Sequence, residues 1–239
     1  MSTLKDKIDQ TCAQFDRLLE QVGSAAFRPW ALAVAWTGGK DSTVLLHLWR
    51  SWLAARGHAS AIPVCAVNLD TGCKFPEVLA FRDELASDWN IAVHVERPDV
   101  DISAYPLARD KAACCHDLKI RPLRRALASL GVVALLTGIR RDEHESRRDR
   151  AWLERVVDPP HLRLHPLLDF TELDVWACIM EHGLPYCRLY DEGYRSLGCV
   201  PCTCLPELAG AYVDEVGERG GRAPDKEQIL GQLHSLGYF

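Results

Sequence analysis

A short apolar run, Ala31–Trp36, ends at Thr37-Gly38-Gly39, and Ser42–Arg56 then repeats Val44, Leu45, Leu48 and Leu53 at helical spacing. A buried strand delivered through two glycines into the start of a helix is the feature that most restricts this chain. It requires a sheet to bury the strand and a helix packed on that sheet. It also builds an anion site, because glycines let backbone N–H groups close on an oxyanion and the helix N-terminus adds partial positive charge. Lys40 adds a full charge, and Ser42 and Thr43 add hydroxyls. The Walker A pattern needs a glycine five residues before Gly39, where Val34 stands, so this is another device. The plainer reading of the same residues is a glycine turn joining strand to helix.

The pattern repeats. Ile62–Leu69 reads as a second strand, Pro76–Trp89 as a helix, Ile91–Val95 as a third strand, Asp117–Leu130 as a helix and Val132–Leu136 as a fourth strand. Such alternation predicts an α/β fold, a parallel sheet flanked by helices, with ligands at the carboxyl ends of the strands. Residues 3–22 read as an amphipathic helix, and Thr171–His182 as a helix with Thr171 as N-cap and Asp174 three residues on. Arg140–Arg155 is dense in charge, and from Gly183 onward the chain is turn-rich. The expected organisation is an N-terminal helix at 1–28, a nucleotide-binding α/β domain at 29–182, and a turn-rich segment at 183–239 that completes the site.

The first twenty residues carry Lys5, Asp6, Lys7 and Asp9, unlike a secretory signal. No apolar stretch approaches the ~20 residues of a membrane span. A cytoplasmic protein with no membrane partner is expected. The formal charge of −5 argues against strong unaided binding to nucleic acid, although Lys119, Arg121, Arg124 and Arg125 form a local basic group. Ten cysteines then need a reason other than disulfides. Cys114-Cys115 and Cys199-Val200-Pro201-Cys202 together offer four thiolates, which suit a 4Fe-4S cluster or a structural zinc. Cys12, Cys65, Cys178 and Cys187 lie in apolar contexts and read as buried, inert thiols. Cys204, outside the quartet, reads as a redox-active or spare thiol, and Cys73 lies beside the nucleotide edge, where a catalytic thiol is the less favoured reading.

Two further segments end strands on the edge that carries the glycine loop. Asp70-Thr71-Gly72 follows the second strand, where Asp70 can bind magnesium or a ribose hydroxyl and Thr71 and Gly72 can line a nucleotide. Thr137-Gly138-Ile139-Arg140-Arg141-Asp142-Glu143 follows the fourth. Arg140, Arg141 and Arg147 are candidate clamps for phosphate oxygens. The competing reading of this stretch is a solvated helix laced with pairs such as Glu143–Arg147, preferred for Arg148, Arg150 and Arg155.

Thr37-Gly38-Gly39-Lys40-Asp41-Ser42 resembles the pyrophosphate loop of the PP-loop ATP pyrophosphatases, the adenine nucleotide alpha-hydrolase superfamily, usually Ser-Gly-Gly-x-Asp-Ser. The resemblance implies a Rossmann-like fold, a loop (Thr37, Gly38, Gly39, Ser42, Thr43) that grips ATP phosphates, and chemistry at the α-phosphate with Mg2+. Cys114-Cys115 with Lys119, Pro122 and Leu123, followed by Leu197-Gly198-Cys199-x-Pro201-Cys202-Thr203, resembles the cluster-bearing adenylyl-sulfate reductases of the phosphoadenylyl-sulfate reductase family. His165-Pro166-Leu167, Phe170–Trp176, Leu184-Pro185-Tyr186 and Gly193-Tyr194 fit the same pattern, over roughly residues 30–204. The resemblance implies a 4Fe-4S cluster on Cys114, Cys115, Cys199 and Cys202.

The reductase nucleophile, in a Glu-Cys-Gly-x-His tail, has no counterpart here: no cysteine follows Cys204. Gly217-Glu218-Arg219-Gly220-Gly221-Arg222 and Gly237-Tyr238-Phe239 instead resemble the tail of the sulfate adenylyltransferase small subunit. The combination is similar to the ATP pyrophosphatases of DNA phosphorothioation systems. That resemblance implies an iron-sulfur enzyme that cleaves ATP between the α- and β-phosphates for sulfur transfer. A sulfur donor such as a cysteine desulfurase is implied, with a DNA substrate reached through partner proteins. Alternatives are a sulfite-forming reductase with a displaced thiol, such as Cys204, or a nucleotide-binding subunit of a sulfate adenylyltransferase-like complex. A homo-oligomer is also compatible.

Overall fold

The computed structural model describes residues 2–206, 217–235 and 237–238. Phe239, in the C-terminal Gly-Tyr-Phe, and residues 207–216 of the turn-rich segment lie outside the described residues.

Six strands form one sheet in the order β3-β2-β1-β4-β6-β5. They are β1 (Leu32–Ala35), β2 (Cys65–Leu69), β3 (Ala92–Glu96), β4 (Ala134–Leu136), β5 (Leu153–Val156) and β6 (His161–Leu164). All neighbours are parallel except β5, which pairs antiparallel with β6. The chain moves outward from β1 to β3, then returns to lay β4 on the other side of β1. The carboxyl ends of β1 and β4 therefore border the switch point, where a doubly wound sheet opens a crevice. The glycine loop leaves β1 there, and Gly138 leaves β4 beside it.

The helices are α1 (Leu4–Val22), α2 (Lys40–Ala55), α3 (Pro76–Asp88), α4 (Lys111–Cys115), α5 (Arg121–Leu130), α6 (Glu172–His182), α7 (Pro224–Gln228) and α8 (Leu230–Ser235). Thr3 and Asp6 close a capping box at the start of α1, and Thr171 and Asp174 do the same for α6. The apolar face of α1 is buried against α2: Phe15 meets Trp49 edge-on at 5.0 Å and Trp52 at 5.6 Å, and both Phe15 and Leu18 are fully buried. The strands predicted near β1 to β4 are present, and so are the helices at α1, α2, α3 and α6.

Two stretches differ from expectation. The helix predicted from Asp117 starts at Lys111, capped by Asp110, whose side chain accepts from Ala113 N at 3.0 Å. It passes through a widened turn at His116–Ile120 before α5. Pro122 offers no N–H to the preceding turn, and the widened turn absorbs that lost bond. Cys114 and Cys115 therefore sit on a helix. The second difference is Arg140–Arg155, which is no solvated helix. It forms two single 3₁₀ turns, Arg141–Glu143 and Glu145–Arg147, and then β5. Its charges are drawn inward: Arg140 is fully buried and Arg147 nearly so. Arg150 reaches Glu154 at 2.5 and 2.7 Å across the start of β5. Only Arg148 and Arg155 keep the solvated character expected of them.

Candidate functional site

The glycine loop is folded by its own hydroxyls. Thr37 N donates to Ser42 Oγ at 3.2 Å, Gly39 N to Thr37 Oγ1 at 3.2 Å, and Ser42 Oγ to the Gly39 carbonyl at 3.0 Å. Gly38 takes φ +84°, and a Cβ there would lie 2.9 Å from Val78 Cγ1, so the position admits little but glycine. Thr43 is fully buried, donating to the Gly39 carbonyl and accepting from Trp36 Nε1. Its hydroxyl holds the loop from beneath. Tyr190, absent from the sequence expectations, accepts from Lys40 N at 3.0 Å.

A cleft of about 170 Å3 opens above the loop. It is lined by Thr37, Gly39, Asp41 and Ser42 of the loop, by Gly138, Glu143 and Arg147 after the fourth strand, and by Thr71, Lys119 and Cys199. The parallel strands bring these separate segments together, as ligand sites in such sheets require.

A charge network lies at the loop. Arg140 Nε meets Asp41 Oδ1 at 2.7 Å and its Nη1 meets Asp142 at 2.9 Å. Lys40, 1% exposed, lies 3.6 Å from Asp41 and donates to the Arg195 carbonyl at 3.1 Å. Glu218 reaches both cations, with one carboxylate oxygen on Lys40 Nζ and the other on Arg140 Nη2. Burial and the neighbouring Asp41 push Glu218 up to about 7 despite the two cations. Burial alone would raise Glu143, but Arg147, Arg140 and Arg219 overcome it and hold the carboxyl near 2. Asp41, Glu143 and Glu218 each place a carboxylate oxygen within 4.8 Å of the others, a donor set of the oxygen type that magnesium takes.

Arg147 pairs with Glu143 and lines the cleft. Arg141 lies apart: it pairs with Asp169 and donates to the carbonyls of Arg148 and Arg150, each at 2.9 Å, which pins the charged turns. Asp70 is buried, accepting from Gly72 N and Arg97 Nε, both at 3.1 Å. Burial would raise its carboxyl, yet these two donors bring it below the usual carboxylate range. Gly72 has φ +71°, and a Cβ there would lie 2.9 Å from Ile102 Cγ1.

Behind Cys199 is a small second cavity, about 20 Å3, lined by Cys73, Cys114, Cys115, Cys199 and Cys202 with Lys119 and Lys226. All four expected cysteines line it, joined by Cys73. An antiparallel bridge, Lys74 to Cys199, and Val200 N donating to the Cys73 carbonyl at 2.7 Å tie the strand end to the C-x-x-C turn. Burial would raise the Cys199 thiol, but Lys119, the Thr71 hydroxyl at 3.3 Å and Lys226 bring it down to about 7. A thiol-rich set with lysines close by fits an anionic iron–sulfur cluster. Cys114 and Cys115 leave their helix ~100° apart, which a body several atoms wide accommodates more easily than a single ion. Cys204 turns to the Gly221 carbonyl at 3.6 Å. Cys65, Cys178 and Cys187 are buried in the apolar clusters, as expected, whereas Cys12 is only partly buried against the main one.

The C-terminal segment closes the site. Arg222, 9% exposed, donates to Ser196 Oγ, Thr203 Oγ1 and the Leu197 carbonyl at 2.8–3.0 Å. Arg219 pairs with Glu227 at 2.6 Å and lines the cleft with Arg222 and Tyr238. The only signal for these residues was the tail motif itself, since isolated polar residues among glycines show no periodicity.

A family profile, the phosphoadenosine phosphosulfate reductase domain, matches residues 31–205. An adenosine 5'-phosphosulfate reductase of Salinibacter ruber is 35% identical over 70% of this chain and 66% of its own length. A sulfate adenylyltransferase subunit 2 of Alkalilimnicola ehrlichii is 28% identical over 97% of this chain and 93% of its own. The fold is that of Candida glabrata FMN adenylyltransferase, seen with FAD and pyrophosphate, at a TM-score of 0.71 and 20% identity, over 86% of this chain and 66% of that one. Among the described residues, no helix is long and apolar enough to cross a membrane. The chain belongs to the phosphoadenosine phosphosulfate reductase domain family.

Proposed function

We propose that the chain cleaves ATP between the α- and β-phosphates, adenylating an acceptor oxygen that is then exchanged for sulfur. The observation that carries this reading is a single cleft lined both by the glycine loop and by Cys199. The loop N–H groups, Lys40 and Ser42 would hold the β,γ-phosphates, and Arg140 and Arg147 would offset charge on the oxygens of the leaving pyrophosphate. Asp41 and Glu143 would hold magnesium. Thr71 and Asp70 would orient the nucleoside. The acceptor oxygen attacks the α-phosphorus, the α,β bridging bond breaks, and pyrophosphate leaves. A sulfur nucleophile then displaces AMP with its oxygen.

Cys114, Cys115, Cys199 and Cys202 would hold a 4Fe-4S cluster, which when bound supplies a sulfur- and electron-handling centre beside the nucleotide. The acceptor we favour is a DNA backbone oxygen, presented by partner proteins because the chain is itself acidic. The sulfur donor is a persulfide of the kind a cysteine desulfurase makes: its outer sulfur bonds to phosphorus as AMP leaves, and a second thiol then cleaves the remaining S–S bond, leaving sulfur on the acceptor and carrying off the donor as a disulfide.

A second reading, reduction of adenylyl sulfate to sulfite, draws on the reductase-domain match. It needs a nucleophilic thiol in the cleft, and Cys204 is turned away from it. A third is a subunit active only with a partner, as the name of the second relative suggests.

The test is an assay of anaerobically purified protein with magnesium ATP for pyrophosphate and AMP, and with adenylyl sulfate for sulfite. Pyrophosphate release that is lost in Lys40→Ala and Asp41→Ala supports the adenylation reading. Sulfite without pyrophosphate replaces it with the reductase reading. Activity that emerges only with an added partner selects the subunit reading.

A further inference from the structure

We propose that Glu218 is an internal stand-in for a substrate phosphate, and that an incoming polyphosphate displaces it and loosens the strap of residues 217–228 over the thiol cavity. The inference rests on the reading of the glycine loop as a phosphate site, and goes beyond it by coupling that site to the cysteines.

The first ground is the contact itself. Glu218 is 8% exposed and spans the two most buried cations of the site, Lys40 and Arg140, with one carboxylate oxygen on each. A two-oxygen anion bridging a lysine and an arginine is the arrangement a phosphate takes. The second ground is charge. Around the loop, Lys40, Arg140, Arg147, Arg195 and Arg219 face Asp41, Asp142, Glu143, Glu172, Glu218 and Glu227. The site therefore holds no surplus of positive charge as it stands. A polyphosphate entering it adds several negative charges in a buried place, and that is unfavourable unless a resident carboxylate leaves or is neutralised. Glu218 is the one of these carboxylates set on a glycine-flanked turn, between Gly217 and Gly220-Gly221.

The third ground is the path of the chain beyond Glu218. Arg219 holds Glu227. Gly221 accepts from Cys204 N at 2.8 Å, Arg222 bridges to Thr203, and Ala223 N donates to the Cys202 carbonyl at 3.3 Å. Lys226, 1% exposed, lines the thiol cavity. Within eight residues the strap runs from the phosphate loop to the cysteines, so expelling Glu218 pulls on the contacts that close that cavity.

The experiment is hydrogen exchange on the full chain as purified, with and without inorganic pyrophosphate and in the absence of magnesium. Calorimetry on the same sample reports whether pyrophosphate binds. Deuterium uptake in peptides covering 217–228 is expected to rise about fivefold or more when pyrophosphate binds, the lower end of ordinary coupling between sites. Glu218→Gln is expected to show the raised uptake without ligand, no further rise with it, and tighter pyrophosphate binding. Glu218→Asp, too short to span both cations, serves the same purpose if the glutamine variant does not fold. Pyrophosphate that binds while uptake in 217–228 stays level or falls overturns the coupling and leaves the proposed function standing. No binding to the wild type overturns both.

Discussion

Gly138 and Asp41 meet backbone to backbone: a Cβ at Gly138 would lie 3.0 Å from the Asp41 carbonyl carbon and 3.1 Å from its oxygen and from Ser42 N. The end of β4 is thereby pressed on the first turn of α2, with no flexible side chain between them to yield. Gly138→Ala must move the loop by a few tenths of an ångström. We expect nucleotide turnover to fall about tenfold, less than the roughly hundredfold cost of a full 1 Å misplacement at a reacting centre, with the fold intact. Turnover and melting temperature measured together check this. Wild-type turnover in a normally folded variant would show that the loop tolerates the shift.

Gly198, which also lines the cleft, presents the same logic. A Cβ there would sit 1.6 Å from Arg222 Nη1, and that guanidinium is fixed by three hydrogen bonds. Gly198→Ala should expel Arg222 and cost about 1–3 kcal/mol, the usual scale of overpacking. Urea denaturation measures it. Arg222→Met, which removes the clash partner, should recover part of the loss in the double variant and so identify the contact as the cause.

The thiols separate by position. Cys199 and Cys202 line the second cavity, whereas Cys204 faces a backbone carbonyl. Cys199→Ser and Cys202→Ser should each lower the iron and acid-labile sulfide of anaerobically purified protein to a small fraction of the wild type. Cys204→Ser should leave both near wild-type content. Equal content in all three variants would remove Cys199 and Cys202 from the ligand set. Chelating the iron from the wild type should also lower its melting temperature, because a group bound only by the folded state stabilises it.

Much of this architecture was legible in the chain because its signals were local. Ala31–Trp36 into Gly38-Gly39 specifies strand, turn and helix within a few residues, and the structure has them. The paired cysteines were legible as clusters, and the sheet brings all four to one cavity. β5 and β6 were not legible. His161 and Arg163 are buried in β6, and polar residues at buried positions erase the apolar pattern by which a strand is read. Nor could spacing reveal that Glu218 meets Lys40, 178 residues away, or that Arg141 turns outward to Asp169 while Arg140 turns in. Such partners are fixed by tertiary packing and leave no periodic trace.

Acid stability offers a test far from the cleft. Burial, then His182 and Arg50, bring His47 down to about 4, and burial does the same to the fully buried His165. In the unfolded chain both return to 6.5. Between pH 6.5 and 4 the unfolded state therefore binds protons that the folded state refuses. Stability must rise with pH across that window and be lost as pH falls through it. Each such proton contributes a slope of up to ~1.4 kcal/mol per pH unit. His47 packs against Trp89 and His182 on the outer side of α2, so His47→Gln leaves the cleft untouched. Unfolding free energies from urea titrations at about pH 4.5, 5.5 and 6.5 should fall less steeply with acid in this variant than in the wild type, by up to one proton's worth. The carboxylates titrate alike in both proteins and cancel from the difference. Parallel profiles would mean that His47 takes up its proton in the folded state as readily as in the unfolded one, and would place its ring in contact with water.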